Sequence, residues 1–194
     1  LGSYSAALTS GTIAAALAAA AQVWTMRWSD ATRFAIVTSL DVAFEILTPR
    51  TAATLTDFGF DLSIGRSYST NASGGTAATL TGNNAKLRTS FGTSLVADMR
   101  ISSTAALTAG TVTVDSTPIW ATSGAPQSVN PAAATEEAVR IAHRYSWAAN
   151  TSSGECPVIL AQNEGLVLRN RTVWPAAGTG ILQVRVRWAE VSAY

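Results

Sequence analysis

The clearest alternation of hydrophobic and polar positions lies near the end of the chain. Leu182, Val184, Val186 and Trp188 alternate with Gln183, Arg185, Arg187 and Ala189. A period of two places each set on its own face of a strand. Just upstream, Pro157 to Asn170 holds two apolar runs separated by the turn-like triplet Asn163-Glu164-Gly165. Residues Pro157 to Tyr194 therefore predict a β-meander whose last segment is built into a sheet.

The same period recurs upstream. Phe34, Ile36, Leu40, Val42, Phe44 and Ile46 all occupy even positions, opposite Arg33, Ser39, Asp41 and Glu45. That pattern predicts one long strand over Arg33 to Leu47 with a single buried face. Phe58, Phe60, Leu62 and Ile64 alternate with Asp57, Gly59, Asp61 and Ser63 to predict another. Tyr4, Ala6 and Leu8 open the chain in the same phase. Trp24, Met26 and Trp28 share a face, as do Leu95, Ala97, Met99 and Ile101, and Val112 with Val114. Thr12 to Ala21 departs from this pattern: its Ala-rich run holds the best helix formers in the chain and predicts a short helix or helical turn.

Gly65 to Gly92 is mostly Ser, Thr, Asn and Gly and predicts a long exposed loop region, with Ser67 to Arg88 as a contact segment. Ser123 to Ala134, with Pro126 and Pro131, is a second irregular stretch. Between Glu136 and Trp147 two readings compete. Asn130-Pro131 can cap a helix, yet Val139, Ile141, His143, Tyr145 and Trp147 alternate strictly with Arg140, Ala142, Arg144 and Ser146, which favours a strand. With about eight to ten strands and no βαβ alternation, the expected fold is all-β, a jelly-roll-like β-sandwich with a short N-terminal helix or helical turn. We expect one domain over 1–194, with residues 1–21 as an N-terminal arm available for contact between subunits.

Composition sharpens this only in part. A chain of 194 residues can bury a core without metals or disulfides. Charged residues are 13%, against roughly 25% in an average soluble protein, while hydrophobic residues reach 47%. Two readings of that deficit stay open: surface buried against other chains, or a neutral Thr-rich β surface. The net charge is +1 and Lys86 is the only lysine. Arginine is favoured at interfaces because its planar fork is weakly hydrated and binds in two places. Arg27, Arg33, Arg50, Arg66, Arg88, Arg100 and Arg140 are scattered singly, so no basic face for nucleic acid is read. The longest apolar run, Ile13 to Ala21, is far shorter than the roughly 20 residues of a membrane span. It lacks a basic flank and the first residue is Leu1, so no signal peptide is read.

Candidate chemistry is sparse. Cys156 is the only cysteine, which excludes an intrachain disulfide, and its place before Pro157 reads as a small semi-buried residue. His143 is the only histidine, too few for a zinc site, and it sits on a strand face among apolar partners. Asp57 and Asp61 could flank a glycosidic bond, but their alternation with Phe58 and Phe60 makes them outward residues, and Glu136-Glu137 reads as a solvated pair. Gly74-Gly75 has no lysine or helix after it and is no phosphate loop. Asn71, Asn150 and Asn170 begin N-x-S/T triplets, expected by chance in a Ser/Thr-rich chain. Trp24, Trp28 and Trp188 are in phase with apolar strand faces and read as core or interface. We expect no catalytic, cofactor-binding or metal residues, no cofactor and no enzyme activity.

Several stretches together resemble structural proteins of tailed-bacteriophage virions. They are Ser10-Gly11-Thr12 with its Ala/Leu run, Val23-Trp24-Thr25-Met26-Arg27-Trp28, and Asn83-Asn84 through Arg88-Thr89-Ser90-Phe91-Gly92. Pro157 to Asn170 and Val186-Arg187-Trp188-Ala189-Glu190 complete the set. The resemblance implies a virion component of jelly-roll capsid-decoration or minor-capsid type, and it carries over no catalytic residue. The expectation is a symmetric oligomer, a trimer favoured, contacting the major capsid protein or other virion proteins, with no nucleic acid and no membrane as partner. Two rivals remain. One is a tail or fibre-tip module binding host glycan through Ser67 to Gly75 and Ser123 to Ala134. The other is a sugar-cleaving enzyme using Asp57 and Asp61.

Overall fold

A computed structural model describes residues 2–14, 16–48, 59–122, 142–149, 156–174 and 178–192. The strands are β1 (Gly2–Thr9), β2 (Gln22–Trp28), β3 (Arg33–Thr48), β4 (Phe60–Arg66), β5 (Thr76–Ala77) and β6 (Val96–Ile101). They continue with β7 (Thr113–Val114), β8 (Trp120–Ala121), β9 (Ala142–Ala148), β10 (Val158–Leu160), β11 (Glu164–Asn170) and β12 (Thr179–Ser192). The first sheet runs β1-β12-β3-β10, with β9 also on β3; the second runs β5-β6-β2-β11-β4-β7, with β8 also on β4. The pairings in both sheets are antiparallel.

The pairing is nested. β1 takes β12, β2 takes β11, β3 takes β9 and β10, and β4 takes β7 and β8. From β1 to β4, successive strands alternate between the sheets. A long antiparallel ribbon rolled over in this way is the connectivity of a jelly roll. β5 and β6 are an insertion between β4 and β7 that widens the second sheet beyond β2.

One hydrophobic cluster joins the sheets. Phe44 of β3 meets Phe60 of β4 edge-on at 5.8 Å between centroids, and Trp174 at 4.9 Å. Such pairs add about 0.5–1.5 kcal/mol each beyond the area they bury. Trp24, Trp28, Trp174 and Trp188 are all fully buried, so the expected core role of Trp24, Trp28 and Trp188 holds.

Three expectations change. First, β3 does not keep one phase. Arg187 pairs with Ser39 but Trp188 pairs with Val37, so Thr38 is the extra residue of a bulge. One inserted residue exchanges the faces of a strand. Leu40, Val42 and Phe44 are buried after the bulge, but Ala35 and Val37 are buried before it. Phe34 and Ile36 are only half-buried.

Second, Thr12 to Ala21 is not helical where it is described. The Ile13 amide donates to the Gly180 carbonyl at 2.8 Å, and the Leu17 carbonyl accepts from the Trp174 amide at 2.8 Å. Ala16 and Ala20 have φ of 65° and 58°, outside helix geometry. A run of ten residues is too short to hold a helix unaided. Here burial of Ile13 and Leu17 against the sandwich overrides alanine propensity. Third, residues 2–9 are no free arm. They pair with β12 at eight successive positions, Gly2 with Glu190 through Thr9 with Gln183, and they bury Tyr4 and Leu8.

The strand reading of Glu136 to Trp147 is met over its second half by β9, Ala142–Ala148; Glu136 to Ile141, like the irregular stretch Ser123 to Ala134, lie outside the described residues. The loop region predicted over Gly65 to Gly92 is partly anchored. The Tyr68 amide donates to the Asn163 carbonyl at 2.7 Å, and Ser73 bridges to Thr108. Tyr68 and Ala72, on the crossover from β4 to β5, and Leu107, on that from β6 to β7, are buried apart from the main cluster together with Val167 of β11, so these crossover segments cover the outer face of the second sheet.

Candidate functional surfaces

Side chains on the outer face of the first sheet form two rows. Register places Ala7 beside Arg185, Asp41 and Ser146, and Thr9 beside Gln183, Ala43 and Arg144. Because Ala7, Thr9 and Ala43 are small, the face dips into an open depression of about 390 Å³. Arg185 Nε lies 3.1 Å from Asp41 Oδ2, and Ser146 Oγ donates to Asp41 Oδ1 at 2.7 Å. The contact is a serine–carboxylate pair with a guanidinium on the second carboxylate oxygen. The face can bind polar groups.

A second depression, of about 410 Å³, runs between the edge strands β1 and β5. Its walls are small and uncharged: Ser5, Ala7 and Thr9 on one side, Thr76, Ala78 and Thr79 on the other.

Inside the sandwich, Glu190 is a buried acid one step beyond Trp188 on the inward face of β12. Its Oε1 accepts from Ser94 Oγ at 2.7 Å, the Leu95 amide at 3.0 Å and Trp188 Nε1 at 3.2 Å. Tyr4 stacks on Trp188 at 5.4 Å and donates to the Gly92 carbonyl at 3.0 Å. Burial, and then the charge of Glu190, push the Tyr4 phenol above its usual range. The cluster fastens residues 92–95 to β12; a buried carboxylate with several donors is a fixed structural joint. Its signal was present in the sequence, since Glu190 continues the even series of Leu182, Val184, Val186 and Trp188.

Arginines make comparable joints elsewhere. Arg27 Nε donates to the Tyr68 carbonyl at 2.6 Å and its Nη1 to Asn71 Oδ1 at 2.7 Å. Arg100 grips Asp98 through two bonds of 2.8 and 2.9 Å and donates to the Gly74 carbonyl at 2.9 Å. The Asp98 contact raises its pKa further. Arg66 pairs with Asp115 at 3.3 Å and with Glu164, and the Glu164 bond raises its pKa. These forks hold loops to the second sheet, a use of arginine that a lysine point charge would not match.

The residues singled out from the sequence are not drawn together. Asp61 is held by Arg171 at 2.9 Å, while Asp57, Glu136, Glu137 and Asn150 lie outside the described residues. His143 occupies a register position opposite Phe44. Cys156 is exposed, not semi-buried as expected. Asn170 is buried and donates to the Ala18 and Thr172 carbonyls, which removes it as a glycan acceptor. Gly75 takes φ +59°, and a Cβ there would stand 2.1 Å from the Ile101 carbonyl, so the Gly74-Gly75 pair serves the turn into β5. Among the described residues no group of three His, Cys, Asp or Glu could hold a metal, and no helix is long and apolar enough to cross a membrane. No family model matches the chain, and no curated protein or solved structure shows significant similarity to it.

Proposed function

We propose that this chain is a structural protein of a tailed-bacteriophage virion, acting as capsid decoration through protein–protein contacts in a symmetric oligomer, with a trimer favoured. The observation that carries the reading is a jelly-roll frame combined with a 13% charged composition. Jelly rolls are a recurrent capsid architecture, an argument by analogy of fold. Leu87, Ile119, Ile159 and Val173 add exposed apolar side chains suited to burial against neighbours. Such contacts gain roughly 25 cal/mol per Å² before ordering costs, and a repeating lattice multiplies modest affinities. In this reading the protein resides in the virion, contacts the major capsid protein or other virion proteins, and performs no reaction.

One observation favours a second reading, a tail or fibre-tip module binding host glycan: the open, polar depression around Asp41, Ser146 and Arg185. The two are separated by sedimentation of the purified protein with and without phage heads, alongside a glycan array. An oligomer that saturates heads supports decoration. A clean monomer that ignores heads overturns it, and array binding lost in Arg185→Ala would favour the glycan reading.

A further inference from the structure

We infer that the edge of β1 at Ala7–Thr9, which no described residue covers, is a strand-addition site that takes a short extended segment of another polypeptide with uncharged side chains. The inference stands independently of the virion reading.

The alternation of backbone groups along β1 carries the argument. The Ser5 amide donates outward to the Ala85 carbonyl at 2.8 Å, and the Ser3 carbonyl accepts from the Leu87 amide at 3.1 Å. On the other side, the Ser10 amide donates to the Leu182 carbonyl at 2.8 Å. Odd residues of β1 therefore turn their amide and carbonyl away from β12, and even residues turn theirs toward it. The β1–β12 register is unbroken from Gly2 to Thr9, so the Ala7 amide and carbonyl and the Thr9 amide also point outward. Segment 84–87 covers this edge at Ser3 to Ser5, bridging Tyr4 to Lys86. It then leaves through a turn in which the Asn84 amide meets the Thr81 carbonyl at 3.2 Å. No described residue pairs with Ala7 or Thr9 on the outer side.

What remains there is the second depression, of about 410 Å³ between β1 and β5. The four residues Ala6 to Thr9 give it a length of about 13 Å at roughly 3.3 Å per residue. An edge ladder of this kind binds backbone groups, and the walls choose the side chains. The uncharged walls offer no counter-charge and so favour an uncharged occupant, and segment 84–87 on the same edge shows that strand pairing is accommodated there. A second copy of β1 is a poor occupant. Antiparallel pairing centred on Ala7 would place its Thr9 opposite Ser5, where Ala85 already sits.

The test is amide hydrogen exchange and chemical-shift mapping by NMR on the full chain, with N-acetyl-Thr-Val-Thr-Val-amide at millimolar concentration as probe. In the free protein the Ser5 amide should be protected, and Ala7 and Thr9 should exchange freely. The probe should slow both by about tenfold or more, while its Lys-Val-Lys-Val counterpart should not. Ala7→Pro removes the central donor at an edge position that tolerates proline and should abolish the effect. Thr76→Trp, which fills the groove from the opposite wall, should do the same and decides the matter if Ala7→Pro does not fold. Ala7 and Thr9 already protected in the free protein, protection that appears only as protein concentration rises, or probe shifts centred on Asp41 and Ser146 would each overturn the inference. So would no shift at all.

Discussion

Along β12 burial alternates residue by residue, with Leu182, Val184, Val186, Trp188 and Glu190 in and Gln183, Arg185 and Arg187 out. Along β2 and β11 it does not: Val23 to Met26 and Gly165 to Leu168 are each buried at four consecutive positions. The difference lies in what covers the second face. Solvent covers the outer face of the first sheet, so polar residues are required at every other position. Tyr68, Ala72 and Leu107 lie over the outer face of the second sheet, where Thr25, Ser63 and Val167 are buried. Gly165 permits this approach, since a Cβ there would stand 2.3 Å from the Met26 carbonyl and 2.8 Å from the Tyr68 ring. A strand covered on both faces loses its period-two signature.

Three substitutions grade this comparison. The largest effect belongs to the shared interior: Phe44→Ala, which strips the edge contacts with Phe60 and Trp174, should cost about 3–5 kcal/mol in urea unfolding. Next comes the outer face of the second sheet. Tyr68 is fully buried, so Tyr68→Ala should cost about 2–3 kcal/mol by the same cavity argument. A cost below about 1 kcal/mol would mean that the crossover adds no second layer.

Tyr68 also supplies a pH test. Burial, chiefly, raises its phenol above the usual 10.0. Above pH 10 the unfolded chain therefore releases a proton that the folded chain retains. Its contribution is fully present below the unfolded pKa and is lost as pH rises toward the folded one. Tyr4 is raised in the same direction. Tyr68→Phe should reduce the alkaline loss of stability, and an unchanged profile between pH 9 and 12 would show that the loss arises at groups other than Tyr68.

The sandwich was legible where solvent enforced alternation, as in β12 and in β3 beyond Leu40. The bulge at Thr38 was not, because an inserted residue leaves no mark in composition, and Phe34 and Ile36 continue the wrong phase plausibly. Ala-rich Thr12 to Ala21 misled for a related reason: local propensity is weak beside the burial of Ile13 and Leu17. The Ser/Thr/Gly character of 67–75 marked a loop but hid its anchor, since Tyr68 is a lone aromatic among polar neighbours. As for the surfaces, Asp41, Arg185 and Ser146 lie far apart in sequence, and only register brings them together. The outward groups of Ala7 and Thr9 are backbone and carry no side-chain signal at all.

The smallest effect belongs to the open face. Arg185 and Asp41 pair across β12 and β3 at 3.1 Å with side chains 47% and 37% exposed. Water and salt screen such a pair, and holding two side chains in place offsets much of the attraction. Arg185→Ala in the isolated protein should therefore cost less than about 1 kcal/mol, a difference that shrinks further in high salt. The contrast with Tyr68 is informative because Tyr68 covers one outer sheet face and Arg185 projects from the other. A loss of 2 kcal/mol or more at Arg185 in an oligomeric preparation, vanishing on dilution to monomer, would show that another copy covers this face. The outer faces of both sheets would then be covered, one by the chain's own crossover and the other by assembly.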